Sequence, residues 1–137
     1  MRNAKKLEYG FSNEEFEIRL QRAQELLYEN KLDALLITIP SNLRYFTGID
    51  TNFWESPTRP WFLVIPLSGS PIAVIPEIGE KLFKKTFVKD IHTWPSPNLN
   101  GDDISPLKSL LESLPSRFGA IGAELGKEMS IRMPAID

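Results

Sequence analysis

The sequence predicts an α/β domain of three layers, a mixed β-sheet with an internal antiparallel hairpin and helices on both faces. Three observations carry this. A capped amphipathic pattern over 13–29 is followed by a near-continuous apolar run, LDALLITI, at 32–39, and such runs are strands covered on both faces. Two further apolar runs, WFLVIP at 61–66 and PIAVIP at 71–76, are separated only by LSGS, which is hairpin spacing. Helical and strand patterns then alternate, the order expected when helices cover a sheet.

Each element has its own local reason. Ser12 followed by Glu15 reads as a capping box, and Phe11 with Phe16 as a hydrophobic staple, opening a helix over 13–29. Phe16, Leu20, Ala23 and Leu27 share one face of it, and Asn30 stops it because asparagine tolerates left-handed geometry. Pro40 is expected to end the strand at 32–39. Ser41 would then cap a short helix over 42–46 that finishes at Thr47-Gly48. Residues 49–60 form a loop rich in aromatics and turn formers, and the prolines at 66, 71 and 76 stand only at strand ends. A helix is expected over 77–87 from Ile78, Leu82 and Phe83, and a strand over 88–94. After a loop at 95–103 comes a helix over 104–114, with Pro106 in its first turn. A short strand follows at 118–124. Residues 1–11 are read as an N-terminal extension and 12–137 as one α/β domain.

The 137 residues suffice for one domain, and the 42% hydrophobic and 10% aromatic content supports a packed core rather than disorder. Sixteen basic and eighteen acidic residues give net −2, which offers no electrostatic case for nucleic acid. No apolar run approaches membrane-spanning length, and the basic N-terminus lacks the apolar region of a secretory signal. Zero cysteines exclude disulfides, thiolate metal sites and cysteine nucleophiles. Cytoplasmic location is the expectation.

Self-contained chemistry finds little support. The lone histidine, His92, reads as a strand residue with a satisfied hydrogen bond, since no carboxylates stand at a spacing that would make it a ligand. Asp102 and Asp103 read as loop solvation and helix capping. Gly119, Gly122 and Gly126 match neither the dinucleotide nor the Walker spacing.

Residues 32–50, LDALLITIPSNLRYFTGID, carry the specific signal. Asp33-Ala34 leads the apolar strand, and Asn42, Tyr45 and Thr47-Gly48 follow at fixed spacing. Physically, Asn42 can satisfy backbone groups at the turn into the short helix. Tyr45 can place its ring in the core, and Gly48 can reverse the chain. This stretch, with GAIGAE near the end, resembles the N-terminal domain of the creatinase/prolidase family over about 12–133. The resemblance implies a non-catalytic N-terminal domain of an Xaa-Pro aminopeptidase- or prolidase-like hydrolase. Its expected partners are its own C-terminal catalytic domain and a second copy in a homodimer, with neither nucleic acid nor membrane. It further implies no catalytic and no metal-ligating residue here. A divalent metal (Mn, Co or Zn) belongs, on the resemblance, to the catalytic domain expected after residue 137. A parent acting on creatine or a cyclic amidine, and a free-standing α/β binding module, are the alternatives.

The resemblance also gives the loop at 49–60 a role. Phe53, Trp54 and Arg59 could contact substrate in a neighbouring subunit's active site, the rings enclosing an apolar group and the arginine pairing a carboxylate. The competing arrangement folds Phe53 and Trp54 onto the core and pairs Arg59 with Glu55.

Overall fold

The computed structural model describes residues 10–56, 59–97, 105–127 and 132–133, with the side chain of Glu55 excepted. Helix α1 spans Asn13–Glu29 and opens as its sequence dictates. The Ser12 hydroxyl accepts from the Glu15 amide at 3.4 Å, and the Phe11 and Phe16 rings meet edge to face at 6.1 Å. Only half of the capping box forms, because the Glu15 carboxylate turns to Arg19 at 2.9 Å, four residues on. The helix stops differently from the sequence expectation. Asn30 sits at φ −90°, and its side-chain amide donates to the Leu26 carbonyl at 2.8 Å. The left-handed residue is Lys31, at φ 55°.

Strand β1 (Ala34–Ile37) leads directly into α2 (Pro40–Thr47). Pro40 is therefore the first residue of the helix rather than a stop before it, the position where its missing N–H costs nothing. Ser41 does not cap; Ile39 occupies the cap position and supplies no side-chain acceptor. Gly48 closes α2 in the left-handed region at φ 76°, its N–H reaching the Arg44 carbonyl. In the loop that follows, a 3-10 turn at Asn52–Glu55 is capped by the Thr51 hydroxyl, which accepts from the Phe53 amide at 3.2 Å.

Strands β2 (Phe62–Pro66) and β3 (Ile72–Pro76) form the expected antiparallel hairpin, with Leu63 opposite Ala73. The helix expected over 77–87 is a 3-10 turn at Glu77–Gly79 followed by a single helical turn, α3, at Glu80–Phe83. Buried Thr86 ends it, donating to the Phe83 carbonyl at 2.7 Å and accepting from the Val88 amide at 3.2 Å. Strand β4 (Asp90–Trp94) then runs parallel to β3, α4 spans Ser105–Ser113, and β5 (Ile121–Ala123) runs parallel to β1. Asp102, Asp103 and Ile104 lie outside the described residues.

The sheet order is β4-β3-β2-β1-β5, with β1 and β2 antiparallel. Alternation along β2 and β3 divides the core in two. Leu63, Ile65, Ala73 and Ile75 face one side, where Leu27 of α1, Leu43 of α2 and Phe83 of α3 cover them. Phe62, Val64, Ile72 and Val74 face the other, under Leu107 and Leu110 of α4. This is the three-layer mixed-sheet α/β architecture that the sequence predicts. Among the described residues no helix is long and apolar enough to cross a membrane.

Candidate functional site

The polar groups that the fold brings together cluster at the two ends of the β1–β5 pair. At the start of β1, Asp33 is only 6% exposed, and its carboxylate accepts from three consecutive main-chain amides. These are Arg117 at 2.9 Å, Phe118 at 2.9 Å and Gly119 at 2.7 Å, in the turn where Gly119 takes φ 75°. Burial works to raise its pKa, but the amides of Phe118, Arg117, Gly119 and Ala120 outweigh it and hold the carboxyl below its ordinary 3.8. The glycine-bearing turn is thus an anion-binding nest, and its anion is the chain's own.

At the far end of the pair the direction reverses. Glu124, just past β5, accepts from the Thr38 amide at 2.7 Å, the Ile39 amide at 2.9 Å and the Thr38 hydroxyl at 3.2 Å. Asn42 of α2 donates its side-chain amide to the other oxygen of Glu124. A carboxylate distant in sequence therefore takes the two amides that lead into α2, beside the end of a helix where negative charge is stabilised. Asn42 engages this carboxylate rather than backbone groups. Sequence reasoning placed Asp33 and Asn42 in a structural motif but missed Glu124, because its partners lie more than 80 residues away.

The remaining motif residues divide. Thr47 is fully buried, its hydroxyl donating to the Leu43 carbonyl at 2.7 Å and accepting from the Ile49 amide at 3.1 Å. Tyr45 is not a core ring: it is 45% exposed and lies 4.5 Å from the Arg19 guanidinium. Arg19 also donates to the Tyr45 carbonyl and stands over the Phe11 ring, so this contact ties α2 to the second turn of α1 from outside.

The loop at 49–60 separates its three candidates. The Trp54 side chain is 8% exposed and meets Trp61 edge-on at 6.4 Å, so it packs in the core rather than at the loop surface. Phe53, its neighbour, is 44% exposed, and Arg59 is half-buried. The Arg59–Glu55 pairing falls outside the described residues. The Trp54 carbonyl is held from across the chain by the Arg132 guanidinium at 2.8 Å, a contact that sequence reasoning did not foresee.

His92 stands on the outer strand with its Nε2 2.9 Å from Asp90, both exposed. Among the described residues no three His, Asp or Glu side chains converge to hold a metal ion. The donor chemistry agrees, since Asp33 and Glu124 spend their lone pairs on amide and hydroxyl donors. These residues do not fit a divalent metal ion such as Mn, Co or Zn.

Residues 19–133 match the family model of the creatinase/prolidase N-terminal domain. A search of curated proteins gave no match. Among solved structures, the chain is similar to a dipeptidase from Mycobacterium ulcerans, at 25% identity and TM-score 0.64 over 92% of this chain and 31% of that one. It is also similar to a proline dipeptidase from Streptococcus agalactiae, at 18% identity and TM-score 0.61, over 80% of this chain and 76% of the other. The N-terminal domain of an Xaa-Pro dipeptidase from Lactobacillus brevis gives 14% identity and TM-score 0.66, over 80% and 78% of the two chains. The last two likenesses show a shared fold alone. The chain spans about a third of the mycobacterial dipeptidase.

Proposed function

The chain belongs to the creatinase/prolidase N-terminal domain family, and from that premise we propose that it serves a larger Xaa-Pro dipeptidase-like hydrolase as its non-catalytic N-terminal domain. The observation that carries this reading is the match in extent. Nearly all of this chain, 92%, aligns with only 31% of a dipeptidase, so chemistry has room elsewhere in such a protein.

Within that protein the domain would associate with a second subunit and contribute to the rim of that subunit's active site. Ile18 and Leu26, 60% and 53% exposed along α1, offer apolar surface that a second copy could cover. Exposed Phe53 and half-buried Arg59 would form the rim, with Trp54 as its buried footing. Phe53 supplies an exposed ring and Arg59 a guanidinium, the two groups that suit a substrate joining an apolar ring to a carboxylate, as a C-terminal proline does.

The test uses the full-length protein, with Phe53→Ala and Arg59→Ala assayed separately on an X-Pro dipeptide. The expected outcome is a loss of about tenfold in kcat/KM for Arg59→Ala, the scale of one charge-assisted hydrogen bond, with melting temperature and oligomeric state unchanged. Unchanged kinetics in both variants would remove the rim role.

A further inference from the structure

We propose that Arg132 is a positioning residue, a strap that holds the Asn52–Glu55 turn on the domain and so sets where Phe53 and Arg59 stand. This rests on the reading of those two residues as rim residues.

Arg132 makes two long-range contacts at once. Its main-chain N–H donates to the Thr38 hydroxyl oxygen at 3.1 Å, and its guanidinium Nη2 donates to the Trp54 carbonyl at 2.8 Å, 78 residues away in sequence. Thr38 is itself fixed, because both its amide and its hydroxyl donate to Glu124. The strap therefore runs from the rigid end of the β1–β5 pair to the loop.

The turn has need of it. Its internal bonds are long, with Phe53 N to Thr51 Oγ1 at 3.2 Å and Ser56 N to the Phe53 carbonyl at 3.4 Å. Short 3-10 turns have poor hydrogen-bond geometry. The buried indole of Trp54 anchors one side of that residue, and the Arg132 bond, with a charged donor, anchors its carbonyl. With both held, the adjacent Phe53 ring has one direction in which to project. With the carbonyl released, the backbone at 53–56 can rotate about the tryptophan.

Hydrogen exchange on this chain reads the strap directly, comparing Arg132→Ala and Arg132→Lys with the unmodified protein. Exchange at the Phe53 and Ser56 amides should accelerate about tenfold in the alanine variant, as expected for loss of a bond to a charged donor. Amides of β2 and β3 should keep their rates. Lysine, which retains a charged donor, should restore slow exchange at 53–56. Unchanged exchange there in the alanine variant overturns the strap. Equal acceleration throughout the sheet, or failure to fold, also overturns it by making the bond a global tie. In the full-length protein, Arg132→Ala should raise KM for an X-Pro dipeptide while kcat holds. A loosened turn with unchanged kinetics overturns the positioning role and the rim reading together, whereas unchanged exchange leaves the rim reading standing.

Discussion

Asp33 shows how one buried charge organises a turn. An isolated carboxylate at 6% exposure would be costly to bury, yet three consecutive amides converge on it and make the charged form the favoured one. The sign of the pH dependence follows. Burial raises its pKa but the amides lower it by more, so the folded pKa lies below the ordinary 3.8 that the unfolded chain retains. The unfolded state then binds the proton more readily, and the stabilisation is fully present above 3.8. It is lost as pH falls from there through the folded value. Asp33→Asn should lower the denaturant midpoint at pH 7, because a neutral amide offers one acceptor oxygen where the carboxylate offers two. The difference in midpoint between the two proteins should shrink as the medium is acidified below 3.8. Titration of both midpoints checks this, and a difference that stays constant through that window would assign Asp33 no linked proton.

Elements were legible in the sequence where their signals were local. Helix α1 announced itself through a cap and a staple within six residues, and the β2–β3 hairpin through two apolar runs across a short turn. The misreadings arise where a distant group or a single side-chain bond decides. The approach to α2 is held by Glu124, which takes the Thr38 and Ile39 amides, so no capping side chain beside Pro40 marks its true start. The helix expected to reach residue 87 ends early because the Thr86 side chain bonds the carbonyl and amide that a continuing helix would have used. Gly79, which joins the 3-10 turn at Glu77–Gly79 to α3, is explained by packing alone. A methyl group there would lie on the Trp61 ring, within 2.5 Å of Cζ3, and that ring is itself wedged between Trp54 and Phe83. Gly79→Ala should therefore destabilise the protein by about 1–3 kcal/mol, the usual cost of overpacking a core, despite alanine's better helix propensity. A calorimetric melting temperature lowered by several degrees is the expected reading. An unchanged or higher value would mean that the indole can move aside.

At the scale of the whole molecule, the two apolar faces of one sheet account for the order of layers, and alternation along β2 and β3 makes both faces visible in sequence. The candidate site was less legible than the fold, because its contacts join residues 33 with 117–119, 38 with 124, and 54 with 132. Periodicity carries no information on such pairs. Once located, the contacts limit what the chain can do unaided. Hydrolysing a peptide bond needs a water molecule made nucleophilic and a charge stabilised opposite it, which hydrolases of metal type achieve with several converging ligands. Among the described residues Asp33 is held by three amides, Glu124 by Thr38, Ile39 and Asn42, and His92 pairs with Asp90 on an exposed strand. Freeing either carboxylate for a metal would undo the bonds that hold an end of the β1–β5 pair, so gaining a ligand means losing structure. The purified chain should therefore release no N-terminal residue from an X-Pro dipeptide, with or without added Mn, Co or Zn, while unfolding cooperatively in urea. Product formation that scales with chain concentration, requires metal and is lost in Glu124→Gln would show that this carboxylate serves catalysis after all.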